Sequence, residues 1–169
     1  MKLEEFLSQA ARGGPCVAIQ SQTPSPVVAP AGLELRLIDG SHTQTLDALF
    51  DAFAEAWHFP PWFGRNKDAF NDFMRDLDNM VNAATGRPPA PGYLTYITDA
   101  HLILADQPEA FSWFAKKIPF YSDYYRDEAS PPAVFGLLLS APPGRVNEVR
   151  ERWLSADVPV ATVDGVNHE

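Results

Sequence analysis

The sequence has little cysteine and no long apolar run. Cys16 is its only cysteine, so an internal disulfide is excluded. The longest apolar stretch, residues 133–139, is far shorter than the roughly 20 residues of a membrane span. The first residues lack the apolar core of a signal peptide, and no Asn-x-Ser/Thr acceptor occurs. We therefore expect a cytoplasmic protein with a reduced thiol and no membrane partner.

Motifs for cofactor, metal or nucleophilic chemistry are also missing. The sequence contains neither of the glycine-rich phosphate-binding motifs and no Gly-x-Ser-x-Gly nucleophile turn. The four histidines are scattered without the spacing of a metal site, although a zinc site built from distant residues stays open. Cys16 could act as a nucleophile, but its Pro-Cys-Val-Ala-Ile context is more typical of a buried core residue. We expect no cofactor, no metal and no enzyme.

Positive charge is scarce. The chain has 13 Lys and Arg residues against 22 Asp and Glu residues, a formal net charge of −9. A nucleic-acid binder must bring cations to phosphate, so this charge argues against nucleic acid as a partner. Two interpretations stay open: the negative charge attracts a basic partner, or it only keeps the protein soluble.

Proline is plentiful, with 16 residues, and it separates short apolar patterns that alternate between strand and helix periodicity. The patterns predict strands at about 16–19, 33–38, 93–97, 134–139 and 158–163. Helices are predicted at about 2–12, 43–57, 67–82 and 107–118 and after Gly144, with a loop at 119–132. This alternation favours an α/β fold with a mostly parallel sheet, and the very apolar strand 134–139 should lie centrally.

An acidic row is the most distinctive chemical feature. Asp68, Asp72 and Asp76 follow one another at four-residue spacing on the helix predicted for 67–82, with Asp78 nearby. Like charges at this spacing destabilise a helix, which suggests a functional use. The alternative is that these acids form a solvent-exposed helix face with no binding role, where neighbouring cations reduce the repulsion between the carboxylates. Carboxyl groups that are neighbours on one row share one environment, so nothing gives them the unequal pKa values that a glycosidase needs. A Mg²⁺ site needs carboxylates that converge from different elements, which a single row does not provide.

Aromatic residues lie close to this acidic row in the chain. Trp62 and Phe63 precede the helix, and the predicted loop 119–132 contains Tyr121, Tyr124 and Tyr125. Aromatic side chains are enriched at protein interfaces, but they equally often cover a core. From the residues alone, both interpretations stay open for each aromatic.

Two segments resemble the barstar family of intracellular ribonuclease inhibitors. The first is Ile-Asp-Gly at residues 38–40, and the second, residues 59–73, reads FPPWFGRNKDAFNDF. The family pattern is roughly Pro-x-Tyr/Trp-Phe/Tyr-Gly-x-Asn-x-Asp-Ala-Leu-x-Asp after a helix. The resemblance runs over about residues 34–140, and its later part depends only on the matching order of strands and helices.

The resemblance implies a small parallel sheet packed by helices, one of which blocks the active site of a basic, secreted, barnase-like ribonuclease. Carboxylates of that helix would take the place of substrate phosphate and pair with catalytic arginines and a histidine. Asp72 matches the central carboxylate, Asp68 the acid one turn earlier, and Trp62 the aromatic that stacks on the enzyme. The partner-binding set expected from the resemblance and the acidic row is Trp62, Gly64, Asn66, Asp68, Asp72 and Asp76. The protein would be an antitoxin or immunity protein, monomeric when free.

Four residues depart from the family pattern. Lys67 stands where an apolar or aromatic residue is usual, Asn71 replaces an aromatic, and Asp76 replaces a glycine. Lys116 aligns with a further acidic contact, for which Asp127 or Glu128 could substitute. These departures keep an alternative open: a barstar-fold interaction module whose partner is not a ribonuclease, or is a different toxin.

We expect one domain over residues 1–169, with a barstar-like core at about 33–140. Residues 1–32 and 141–169 form extensions without counterpart in the minimal family member. Their patterns predict an extra helix and strand at each end of the sheet.

Overall fold

The chain folds around one five-stranded sheet. The computed structural model describes residues 1–20, 27–28, 30, 32–77 and 90–164. The strands are β1 (Val17–Gln20), β2 (Glu34–Asp39), β3 (Gly92–Thr98), β4 (Val134–Leu139) and β5 (Val160–Val163). They lie in the order β2-β3-β4-β1-β5, and every neighbouring pair is parallel. The predicted α/β class is confirmed, and β4 is the central strand as its continuous apolar run indicated.

Helices cover both faces of the sheet. Within the described ranges they are α1 (Leu3–Ala11), α2 (Leu46–Trp57), α3 (Lys67–Met74), α4 (Phe111–Asp127) and α5 (Val146–Ser155). Helix α1 packs Phe6 and Leu7 on one face, against Ala18, Leu94 and Leu138. The absence of a side chain at Gly136 lets α1 approach β4, since a Cβ atom there would lie 3.2 Å from Leu7. The other four helices share a larger apolar core on the opposite face.

Helix α4 is longer than predicted. It continues through Pro119 to Asp127, whereas residues 119–132 were expected to form a loop. Ile118, Tyr121 and Tyr125 keep the helical spacing of the buried face, and their burial outweighs the hydrogen bond that proline cannot donate.

Helix α3 ends at Met74, so the helix predicted for about 67–82 is interrupted at Arg75 and Asp76, and residues 78–82 lie outside the described residues. The hydroxyl group of Tyr125, on α4, donates to the Met74 carbonyl at 2.6 Å and accepts from the Leu77 N–H at 3.1 Å. In a continued helix both backbone groups would bond within the helix. The Tyr125 hydroxyl thus replaces the two hydrogen bonds that a continued helix would form at the Met74 carbonyl and the Leu77 N–H. Asp78 lies outside the described residues.

The extensions add a helix and a strand each, but not at the two ends of the sheet. Both β1 and β5 lie on the same side of β4, so β2 forms the opposite edge. The prediction of one extra strand at each end was therefore wrong. Sequence order does not reveal strand order, because β1 pairs with β4 and then accepts β5 on its free edge.

Candidate functional site: the α3 face and the turn before it

The turn between α2 and α3 holds one aromatic inside and one outside. Phe63 is buried and contacts the rings of Phe50, Phe59 and Phe73 at centroid distances of 6.0, 5.2 and 5.7 Å. Its N–H donates to the Pro60 carbonyl at 2.9 Å, which closes the turn. The neighbouring side chain, Trp62, is 78 % exposed. The core interpretation therefore holds for Phe63, and Trp62 is presented to solvent.

The start of α3 is fixed by side chains. The Asn66 carboxamide oxygen accepts from the Ala69 N–H at 2.8 Å, which is an N-cap bond. Arg65 adopts a left-handed backbone conformation and binds Asp51 of α2 through two hydrogen bonds of 2.8 and 3.1 Å. A Cβ atom at Gly64 would lie only 3.1 Å from the Asn66 amide nitrogen, so glycine suits this tight turn. Gly64 and Asn66 thus shape the turn.

Two of the three predicted acids lie together on the exposed side of α3. Phe70 and Met74 face the core, while Asp68 and Asp72 are exposed one turn apart. The Asp72 side chain is 74 % exposed, and one of its oxygens lies 3.2 Å from the Arg75 guanidinium. Asp76 follows the end of the helix and is half-buried, so it does not continue the row. The prediction of a row of three carboxylates on one helix was wrong at this position.

The side of α3 that faces α4 has a different chemistry. Lys67 lies over the Trp113 ring at 5.1 Å, and Arg75 lies over Phe120 at 5.6 Å and Tyr124 at 5.8 Å. Between them, the Asn71 side-chain oxygen accepts from the Tyr121 hydroxyl at 2.5 Å. These contacts give Lys67 and Asn71, two residues that depart from the family pattern, partners on α4.

The tyrosines for which the sequence left both the interface and the core interpretation open belong mainly to the protein interior. Tyr121 and Tyr125 are buried and Tyr124 is half-buried, all on α4. Burial raises the pKa of Tyr121 above its ordinary value, although the charge of Arg75 opposes the shift. The interface interpretation is therefore wrong for Tyr121 and Tyr125. The aromatics that sequence reasoning missed are Trp113 and Phe120, whose spacing with Tyr124 places them on the side of α4 towards α3.

A sequence model of the family "Barstar (barnase inhibitor)" matches residues 33–136, well over half of the chain. This chain belongs to the barstar family. The match begins next to β2, ends within β4, and includes α2, α3 and α4 with the turn that presents Trp62. No curated protein matches the chain. Barstar-family proteins are inhibitors and not enzymes, so the expectation of a non-enzymatic protein is confirmed.

The barstar-family match includes all six residues predicted for partner binding. The exposed surface of α3 and of the turn before it includes Trp62, Asp68 and Asp72, and the capped turn separates Trp62 from Asp68 along the chain. We call this surface, with Gly64 and Asn66, the α3 face. Asp76 lies beyond the end of α3. Lys116, the position of the family's further acidic contact, is exposed on α4, and Asp127 is bound to Arg126 at 2.8 and 2.9 Å.

Other chemistry finds little support in the barstar-family chain. In the part of the chain that the structure describes, no three His, Cys, Asp or Glu side chains are grouped to hold a metal ion. Across the same residues, no helix combines the length and apolar character needed to cross a bilayer. Cys16 is buried, and desolvation raises its thiol pKa to about 12. This observation supports the structural interpretation of Cys16, because the thiolate is the nucleophilic form.

Proposed function

We propose that this barstar-family chain is a cytoplasmic immunity protein that blocks the active site of a basic, barnase-like ribonuclease. Family membership supports an inhibitor of such enzymes. The α3 face supplies the finer mechanism: Asp68 and Asp72 stand in for substrate phosphate, and Trp62 stacks on the enzyme. The observation that carries the proposal is the pair of exposed carboxylates on a capped helix directly after an exposed tryptophan.

The carboxylates suit a cationic cleft. A carboxylate can accept two parallel hydrogen bonds from an arginine, as phosphate does, and such charge-assisted bonds are stronger than neutral ones. Asp72 already has Arg75 as a counter-ion, but through a single exposed contact of 3.2 Å. Exposed ion pairs contribute only about 0–1 kcal/mol, so exchange of Arg75 for a cation of the enzyme costs little.

Trp62 provides apolar area beside these charges. Its ring has only two side-chain torsions to restrict, and the buried Phe63 next to it holds the backbone of the turn. Large, preformed aromatic side chains are typical of the residues that dominate binding energies. Asp76 is half-buried beyond the end of α3, so we assign the direct contacts with the enzyme to Asp68 and Asp72.

The charge of the whole chain favours the same partner. A net charge of −9 attracts a basic enzyme and raises the association rate. At physiological ionic strength, salt screens this attraction with a Debye length of about 8 Å. We therefore expect the association rate to fall as salt concentration rises.

The test is calorimetric titration of the chain with a catalytically inactive barnase-type ribonuclease from the same source. We expect tight one-to-one binding that Asp72→Ala weakens by roughly 30-fold or more, the scale of an interface hot spot. Asp47→Ala is the matched control, because Asp47 is also exposed but lies in the first turn of α2. We expect a change of less than about twofold for this variant, which removes the same charge.

Equal, small effects of the two substitutions would contradict the assignment of the α3 face. Absence of binding by the unmodified chain would contradict the ribonuclease as partner and favour the alternative, a barstar-fold module for another protein or toxin. The Asp72–Arg75 pair favours this alternative, because it places a cation on a surface that should face a basic enzyme. Capture of such a partner from the source cells, lost on Asp72→Ala, would establish the alternative.

A further inference from the structure

The boundary between α3 and α4 carries positive charge right beside the α3 face. Three cations lie along it, each over an aromatic ring of α4: Lys67 over Trp113, Arg75 over Phe120 and Tyr124, and Lys117 over Phe120 at 4.8 Å. We call these three cations with their rings the cationic groove. Phe120 is 43 % exposed, so the groove is open to solvent at this ring.

The lysines of the cationic groove have no carboxylate partner within the described ranges. Neither Lys67 nor Lys117 forms a salt bridge there, and Arg75 contacts only the exposed Asp72. A cation that rests on a ring face is held in place by the ring's quadrupole but keeps its full charge. Lys67 and Lys117 are therefore positioned positive charges without a carboxylate partner in the described residues, whereas Arg75 has Asp72 as its one exposed partner.

The cationic groove and the α3 face cannot be covered separately. Lys67 directly precedes Asp68 at the start of α3, Arg75 caps the end of α3 and touches Asp72, and Lys117 lies on the neighbouring α4. A standard interface covers about 800 Å² on each partner, which is much more than the two acids occupy. A protein that binds Asp68 and Asp72 therefore also meets the groove. A purely basic surface would be repelled there, and uncompensated cations are costly to bury.

We propose that the partner's docking surface is bipolar, with basic side chains opposite Asp68 and Asp72 and acidic side chains opposite Lys67, Arg75 and Lys117. This proposal rests on the proposed function and specifies the partner's chemistry. Like charges placed opposite each other exclude wrong partners, so the groove selects among basic ribonucleases those with acids at the rim of the active site.

The test is whether a charge reversal strengthens or weakens binding to the same inactive barnase-type ribonuclease. Lys117→Glu makes the chain more negative by two charges. If only basic groups of the enzyme face the cationic groove, this change strengthens binding. If acidic groups of the enzyme face the groove, the same change weakens binding. We expect affinity to fall by roughly fivefold or more, mainly through slower association at low salt.

The matched control is Lys2→Glu, which makes the same change in net charge. Lys2 is exposed at the start of α1, on the opposite face of the sheet from α3 and α4. We expect its affinity to stay within about twofold of the unmodified chain or to rise slightly. A second variant, Lys117→Met, keeps the packing over Phe120 and should weaken binding in the same direction by a smaller factor. It replaces Lys117→Glu as the test if that variant is poorly folded.

Unchanged or tighter binding by the Lys117 variants, with binding still lost on Asp72→Ala, overturns the bipolar surface and leaves the proposed function standing. Failure of the unmodified chain to bind overturns both. Weaker binding by the Lys117 variants but not by Lys2→Glu supports the proposal.

Discussion

At the residue scale, Cys16 shows how strongly the interior acts on a single group. It precedes β1 and lies beside Ser122 of α4, in a small cavity near the turn of Gly13 and Gly14. Burial raises the pKa of its thiol from 9.0 to about 12, and a hydrogen bond with Ser122 only partly opposes this shift. The folded protein thus keeps the thiol protonated at a pH at which the unfolded chain has lost the proton.

This shift predicts a pH dependence of stability. The group's contribution is fully present below pH 9 and is lost as pH rises towards 12, because only the unfolded state releases the proton in that window. Between pH 8 and 10 the unmodified chain should lose about 1.4 kcal/mol more unfolding free energy than Cys16→Ala. Urea denaturation at both pH values measures the difference. Parallel losses in the two proteins would show that the thiol titrates normally.

At the element scale, α3 is a helix of eight residues that needs support at both ends. Isolated helices of this length are unstable in water. Asn66 caps its first turn, and the Tyr125 hydroxyl replaces the bonds beyond its last turn. Because Asp68 and Asp72, the acids proposed to bind the partner, lie between these two supports, the order of the proposed site depends on the supports.

Removal of the cap tests this dependence. Asn66→Ala should lower the free energy of unfolding by about 1 kcal/mol, since the Ala69 N–H loses its partner. It should also weaken ribonuclease binding, because the backbone of Asp68 becomes less ordered. Asn66→Ser, which retains a capping oxygen, serves as control and should keep most of both properties. If Asn66→Ala and Asn66→Ser behave alike, the cap does not support the site.

At the scale of the whole molecule, the extensions share the interior of the family core. Trp153 of α5 is fully buried against Phe111 and Phe114 of α4, at centroid distances of 5.2 and 6.0 Å. Strand β1 pairs with β4, so the N-terminal extension continues the core sheet. We infer that residues 1–169 unfold as a single cooperative domain.

Trp153→Ala tests this cooperativity. It should lower the free energy of unfolding by about 3–5 kcal/mol and move the whole transition, because it leaves a cavity in a shared core. Leu154→Ala is the control, since Leu154 is 49 % exposed on the same helix and its loss should cost less than about 1 kcal/mol. Far-UV and near-UV circular dichroism should report one common transition for each protein. Two separate transitions would show that the extensions fold independently of the core.

Much of the fold could be predicted from the sequence because its signals are local. Strand and helix periodicity depends on neighbouring residues, and it indicated all five strands and the α/β class. The motif around Gly64 and Asn66 likewise specifies a turn and a cap within a few residues. The exposed positions of Trp62 and Asp72 agree with their predicted partner-binding roles, which binding measurements have to test.

The sequence by itself thus determined the elements, the turn and the acidic character of α3. Tertiary structure decided where α3 ends, that α4 continues through Pro119, and that β1 and β5 share one side of the sheet. It also decided that Tyr121 and Tyr125 are buried and that Lys67 and Arg75 rest on rings of α4. The physical reason is that these features depend on contacts between residues about 50 positions apart, such as Tyr125 with Met74, which no local pattern records.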